Sequence, residues 1–342
     1  MTMATLTSAA PRPRPGRRPP LRRRPKTAWG LRSGPNPLLD TATVALVALL
    51  LLVAVVGPLL APDVYTSHID LARHAPSGAH LLGTDDQGRD IAWRIVAGAR
   101  TTLLSSVVIV LGYALLGTLV AVAAALGPRL VDEALMRFTD VVLAFPGLVF
   151  ALAVTAALGA GLKSAIVALI LTGWPMTARL LRGIIAETSA LPYIEGARTL
   201  GVGPVRLMAR HILPNSLPAV WVKWAGDIGN TVLVIGALSF VGAGAQPPSA
   251  EWGAMVNSAK GYVSTAWWTA LFPGLAIAVT TAAFGLLGDM LHLRTDPALR
   301  ARAASAADAL TAADPSADAS ADPSAGTGTT TGTAGHAEGS QP

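Results

Sequence analysis

The chain has 342 residues, of which 52% are hydrophobic and only 13% charged. A soluble globular protein carries about 25% charged residues, so the composition argues against a water-soluble enzyme. The absence of cysteine excludes disulfides, thiolate metal sites and cysteine nucleophiles, and 26 basic against 20 acidic residues leave a net charge of +6.

Residues 1–37 hold nine basic residues between Arg12 and Arg32, eight prolines and no acidic residue. No helix survives prolines at that density. The segment reads as a disordered cytoplasmic arm that fixes topology, and its charge is compatible with anionic membrane lipid. No aromatic interleaving or folded module accompanies the charge, so no nucleic-acid partner is expected.

Six apolar stretches follow, at residues 38–61, 101–126, 134–158, 164–181, 217–241 and 266–287. Each approaches the roughly 20 residues that a spanning helix needs. The first is too long for the core of a signal peptide. The third contains Asp140 and the pair Pro146 and Gly147. The fourth is the shortest and contains Gly173 and Pro175, while the fifth carries Lys223, Asp227 and Asn230. Gly and Pro inside spans are ordinary, because neighbouring helices satisfy the backbone groups they free. Beyond the sixth stretch, residues 303–342 are Ala, Ser, Thr, Gly, Asp and Pro with few others, too little apolar surface to offset chain entropy. The predicted fold is an all-α polytopic membrane protein. A six-helix membrane domain spans 38–293, between disordered tails at 1–37 and 294–342.

Basic residues near helix ends set the orientation. With the N-terminus inside, nineteen basic residues fall on inside segments and six on outside ones. Both termini are therefore expected in the cytoplasm. Residues 62–100 and 242–265 become outer loops, and 183–216 the longest inner loop.

Polar residues within or beside the spans narrow the chemistry. Asp227 sits about ten residues into the fifth stretch, with Asn230 one turn on. A charge at mid-membrane costs about 2.5–3.5 kcal/mol, so it must face a partner or a wet cavity. A path-lining role and a structural contact between helices both fit. Asp140 is expected to pair with Arg137, three residues before it. His68, His74 and His80 are spaced by six, which is no ligand spacing on a regular element, so they read as solvated loop residues and not as a metal site. Trp267 and Trp268 are placed to act as an interfacial aromatic anchor.

The inner loop is the most informative stretch. Pro192 opens a short helix at its first turn, Gly201 suits a left-handed stop, Pro204 opens a second helix and Pro214 ends it. Ile194, Ala197 and Leu200 line one side of the first helix. Val205, Met208 and Ile212 or Leu213 line the second, with Arg206 and Arg210 facing away. A docking element and a hairpin lying on the membrane surface fit this pattern equally well.

Here the sequence resembles a known family. Glu195, Gly196 and Ala197, then Gly201, then Ile212, Leu213 and Pro214 resemble the EAA loop of ATP-binding-cassette importer permeases, with Gly196 standing where the family usually has Ala. The run Leu82-Gly-Thr-Asp-Asp-Gln-Gly-Arg-Asp90 is similar to the segment before the second helix in dipeptide, oligopeptide and nickel permeases. So are Ala144-Phe-Pro-Gly147, His211-Ile-Leu-Pro-Asn215, Leu238-Ser-Phe-Val-Gly242, Glu251-Trp-Gly-Ala254 and Phe272-Pro-Gly274. The likeness runs from about residue 38 to 293 and points to the C-type subunit of that branch.

The resemblance implies a permease subunit that does no covalent chemistry. It implies a second, B-type permease subunit, two cytoplasmic ATPase subunits seated on the EAA loops, and an extracytoplasmic solute-binding protein that delivers a peptide, nickel or a related small solute. ATP and magnesium would belong to the ATPases, and this chain would bind no cofactor. The sequence itself has no G-x-x-x-x-G-K-[ST] phosphate loop; Gly161-Leu-Lys-Ser164 lacks the Gly-Lys pair. The alternative is a secondary transporter driven by an ion gradient, which would usually show inverted repeats; no convincing internal repeat is found.

Overall fold

The computed structural model describes residues 37–295. The predicted basic arm, and the predicted C-terminal tail beyond its first two residues, lie outside them. In hydrocarbon every backbone polar group must be satisfied within its own segment, and the apolar stretches meet that demand as helices. The first, α1 (Pro37–Leu60), is apolar on every side beyond Thr43. Val47, Ala54 and Gly57 are buried against the rest of the bundle, while Leu49, Leu52 and Leu59 point outwards.

The next helix, α2 (Ile91–Leu126), begins ten residues before the expected start at 101. Its 36 residues measure about 54 Å at 1.5 Å per residue, well beyond a hydrocarbon core of about 30 Å. The extra turns are held by polar contacts that a hydropathy count does not register. Arg94 is only 3% exposed. It donates to the carbonyls of Val64 (2.9 Å) and Ser249 (3.1 Å) and lies 3.4 Å from Asp85. At the helix start the Asp90 side chain accepts from the Trp93 N–H. Its other oxygen lies 2.9 Å from His80 Nδ1, so His80 is not simply a solvated loop residue. Among the described residues no group of His, Asp or Glu is arranged to hold a metal.

The third stretch is not one straight span. It forms α3 (Arg129–Leu143) and α4 (Gly147–Leu158), which meet at 90°. Pro146 disfavours helical backbone at Phe145, and the chain turns there. With 12 residues, α4 extends only about 18 Å. The next helix, α5 (Leu162–Ser189), is longer at both ends than the expected 164–181. It holds α3 in place: Arg182 donates two bonds to Asp132, at 2.9 and 2.6 Å. Asp140 pairs with Arg179 of α5 rather than with Arg137.

After the inner loop, α8 (Leu213–Val241) crosses back, α9 (Trp252–Ala259) lies in the following loop, and α10 (Trp268–Thr295) is the last helix. Trp268 is packed rather than laid at an interface: it is 8% exposed and its indole N–H donates to the Thr84 carbonyl. Trp267 remains exposed.

Three contacts fix which helix ends share a side. Arg294, at the end of α10, lies 3.2 Å from Asp40, at the start of α1. The Gly161 N–H, before α5, donates to the Ala243 carbonyl, after α8. Trp268, at the start of α10, meets Thr84, just before α2. The start of α5 therefore lies opposite the end of α2. The bent α3–α4 pair must carry the chain between them, which makes six crossings. Both ends of the described chain share a side with the inner loop, and residues 61–90 and 242–267 share the other. The core lies between α2, α5 and α8, around Ile109, Tyr113, Leu169, Leu181, Ile185 and Ile235.

Candidate functional site

Two features stand out: the hairpin between α5 and α8, and a cavity beside the middle of α8.

The hairpin opens as the sequence predicts. Pro192 starts α6 (Pro192–Thr199), where its missing N–H costs nothing. Gly201 stops it with φ +81°, in the left-handed region that side chains reach only at a cost. The Gly201 N–H donates to the Arg198 carbonyl and the Val202 N–H to that of Ala197. Pro204 then starts α7 (Pro204–Leu207). Pro214 does not end this second helix. The chain runs through a π-helical turn (Met208–Ile212) straight into α8, and Pro214 sits in the first turn of α8. The π-helical turn directly before it, in which the Leu213 N–H reaches back to the Met208 carbonyl, accommodates a residue without an N–H, so the helix continues past Pro214.

The apolar face of the hairpin differs in part from the expected one. Ile194, Met208 and Ile212 are buried in the core, and Ala197 and Leu213 pack partly against it. Leu207, not Val205, completes the inner face, and Leu200 is 86% exposed. The Ser216 hydroxyl lies 3.2 Å from Thr188 Oγ1, and Asn215 donates to the Tyr193 hydroxyl at 3.2 Å, so the entry to the hairpin is tied to α8. Glu195, Gly196, Gly201, Pro214, Arg206 and Arg210 all face away from the bundle. Space around Gly196 and Gly201 is open: a Cβ at either would meet nothing within 4 Å. The result is a partly apolar and basic knob standing off the helices.

The cavity, of about 490 Å³, lies between α2, α5, α8 and the start of α4. Tyr113, Thr172, Lys223, Asp227, Asn230 and Thr231 supply its polar lining. Asp227 accepts from the Tyr113 hydroxyl at 2.8 Å and from the Lys223 ammonium one turn before it. The aspartate thus has structural partners and lines a cavity at once. Gly173 permits this placement of Tyr113: a Cβ there would lie 2.6 Å from the tyrosine ring. Lys223 and Asp227 also line a second cavity of about 520 Å³ between α5, α8 and α10, nearer the hairpin, with Asp289 and His292 on its wall. The sequence marked Asp227 and Asn230 but not Tyr113, which is 114 residues from Asp227 and looks like any apolar position of α2.

Comparison with known proteins places this architecture. Residues 114–301 match the family described as binding-protein-dependent transport system inner membrane component. The glutathione transport system permease protein GsiD of Pectobacterium atrosepticum is 40% identical over 256 residues, 74% of this chain and 85% of that one. The dipeptide transport system permease protein DppC of Alkalihalophilus pseudofirmus is 36% identical over 251 residues, 73% of this chain and 83% of that one. Among solved structures, an inward-facing form of the MetNI methionine ABC transporter matches with a TM-score of 0.50 at 19% identity, over 60% of this chain and 98% of that one, a likeness of fold. Family members work with permease, ATPase and binding-protein components, and the membrane component itself is non-catalytic. The chain belongs to the binding-protein-dependent transport system inner membrane components, as a multi-pass permease subunit of an ATP-binding-cassette importer.

Proposed function

We propose that the chain forms one half of the path by which short peptides enter a bacterial cell. The other half is a B-type permease subunit. Two ATPase subunits that hold the ATP and magnesium dock at the hairpin, and an extracytoplasmic binding protein delivers the peptide to the loops at 61–90 and 242–267. This chain holds no cofactor. Glu195, Gly196, Ala197, Gly201, Ile212, Leu213 and Pro214 build the docking element, the exposed ones touching the ATPase and the buried ones anchoring the hairpin. Asp227 and Asn230 line the path. The membrane domain covers 38–293, with both termini in the cytoplasm. The peptide assignment is supported by relatives named for dipeptide and glutathione transport.

The observation that carries the reading is the hairpin itself. Its buried face is fully used by Ile194, Leu207, Met208 and Ile212, yet Leu200, Val205 and Tyr193 stay exposed beside Glu195, Arg206 and Arg210. Mixed apolar and charged exposure on one folded element suits a protein partner. A hairpin lying on lipid would instead segregate its apolar side toward the membrane.

Cysteine labelling in intact cells tests the orientation. The chain has no cysteine, so single introduced thiols report cleanly. Ser77→Cys and Ser249→Cys are expected to react with an impermeant reagent, and Leu200→Cys only after the membrane is opened. Labelling of Leu200→Cys from outside would overturn the assignment.

A further inference from the structure

We propose that Lys223 and Asp227 form a receptor for the two charged ends of a short zwitterionic peptide, and hold each other when no peptide is present. The proposal rests on the reading of this chain as lining a peptide path.

The spacing comes first. Residues four apart on a helix are separated by about 6 Å along its axis, and they share one face. A dipeptide at 3.3–3.6 Å per residue places its ammonium and carboxylate about 7 Å apart. In the structure the Lys223 ammonium and the Asp227 carboxylate meet in a direct ion pair; rooted about 6 Å apart along the helix, they reach the separation of the ends of a dipeptide once the flexible Lys223 stem swings away from Asp227. The ammonium of the peptide faces Asp227 and its carboxylate faces Lys223.

Hydrogen-bonding capacity points the same way. The hydroxyls of Thr172 and Thr231 donate to carbonyls of their own helices, Leu169 and Asp227. The Tyr113 hydroxyl is spent on Asp227. Among the described residues the Asn230 side chain makes no hydrogen bond and lines the same cavity. Its amide both donates and accepts, and it stands one turn beyond Asp227, where it can meet a polar group of the peptide beside the end that Asp227 holds. The cavity of about 490 Å³ is within the usual range for small-molecule sites, about 300–1,000 Å³.

The energetics suit transport rather than storage. Separating a partly buried ion pair is expensive when either charge is left alone. A zwitterion removes that cost, because each charge exchanges one partner for another. The exchange is close to balanced, as a path requires of a site that solute must enter and leave. Lys223 and Asp227 line both cavities, so a peptide held by the pair touches the space on either side of it.

The test uses the complete transporter in lipid nanodiscs without its binding protein, so that selection by that protein is removed. Binding of radiolabelled L-alanyl-L-alanine is compared with its N-acetylated and C-amidated forms. Wild type is expected to bind the free dipeptide about tenfold or more tightly than either blocked form. Asp227→Asn is expected to erase the penalty for N-acetylation while keeping that for amidation. Lys223→Met is expected to do the reverse. Co-purification of the ATPase subunits verifies that each variant is assembled. Wild-type binding without discrimination, or discrimination unchanged in both variants, overturns the receptor. So does a wild type that takes up the dipeptide with binding protein and ATP but binds none in nanodiscs. If wild type takes up no peptide even with binding protein and ATP, the proposed function falls instead and the receptor falls with it.

Discussion

Replacing Gly201 probes the docking hairpin through a single backbone angle. At φ +81° an L side chain costs roughly 1–2 kcal/mol. No atom lies within 4 Å of the position a Cβ would take, so the cost is backbone strain alone and not a clash within the chain. The undocked hairpin can relax away from the strained conformation, whereas the docked one must hold it. The strain therefore appears as a reduced population of docking-competent hairpin, and the apparent dissociation constant rises by that fraction. One to two kcal/mol corresponds to a weakening of about 5- to 30-fold. Gly201→Ala is expected to show it in full, and Gly201→Asn only in part, because Asn tolerates left-handed backbone. The assay is titration of purified ATPase subunits against the reconstituted permease pair. Equal affinity for wild type, Ala and Asn would refute the argument. A loss for Asn as large as that for Ala would show that side-chain bulk, and not backbone strain, matters there.

Two further predictions concern the elements that hold the site. Glu251 is wholly buried and caps α9, accepting from the N–H groups of Gly253 and Ala254; burial outweighs these donors and pushes its pKa above the ordinary 4.5. The folded chain then holds this proton more tightly than the unfolded chain, so the contribution is fully present below pH 4.5 and is lost as pH rises through the raised value. Glu251→Gln is expected to flatten that part of the melting-temperature profile in detergent, and a slope equal to that of wild type would count against it. Arg182→Ala removes the two hydrogen bonds to Asp132 that fasten α3 to α5. It is expected to destabilise the purified protein by about 1–3 kcal/mol, with recovery when Arg182→Asp is combined with Asp132→Arg. An unchanged melting temperature would show that α3 is held by packing alone.

Much of this architecture was legible in the residues. Six apolar stretches gave six crossings, and Pro192, Gly201 and Pro204 marked the hairpin because each acts on its own backbone. The errors share a physical cause, which is that hydropathy is blind to direction and to distant partners. The third stretch is apolar enough to span, but nothing in its apolarity reveals a 90° turn. The expected start of α2 stops short of Arg94 and Arg100, although Arg94 donates to carbonyls 30 and 155 residues away. By spacing Asp140 matches its neighbour Arg137, whereas the geometry offers Arg179 from another helix. In sequence Pro214 reads as a stop, because proline disfavours helix before it. It stands instead in the first turn of α8, just after a π-helical turn. Within the cavity, Asp227 announced itself as a charge in an apolar run, while Tyr113 carried no local signal at all.

The central claim is that this chain transports by coupling to an ATPase. Proteoliposomes holding this chain, its second permease subunit and two ATPase subunits, supplied with binding protein and dipeptide, test it directly. The account predicts uptake that requires ATP, and that stops when the ATPases are inactivated even under an imposed proton or sodium gradient. Uptake driven by such a gradient through this chain, with the ATPases absent, would contradict it.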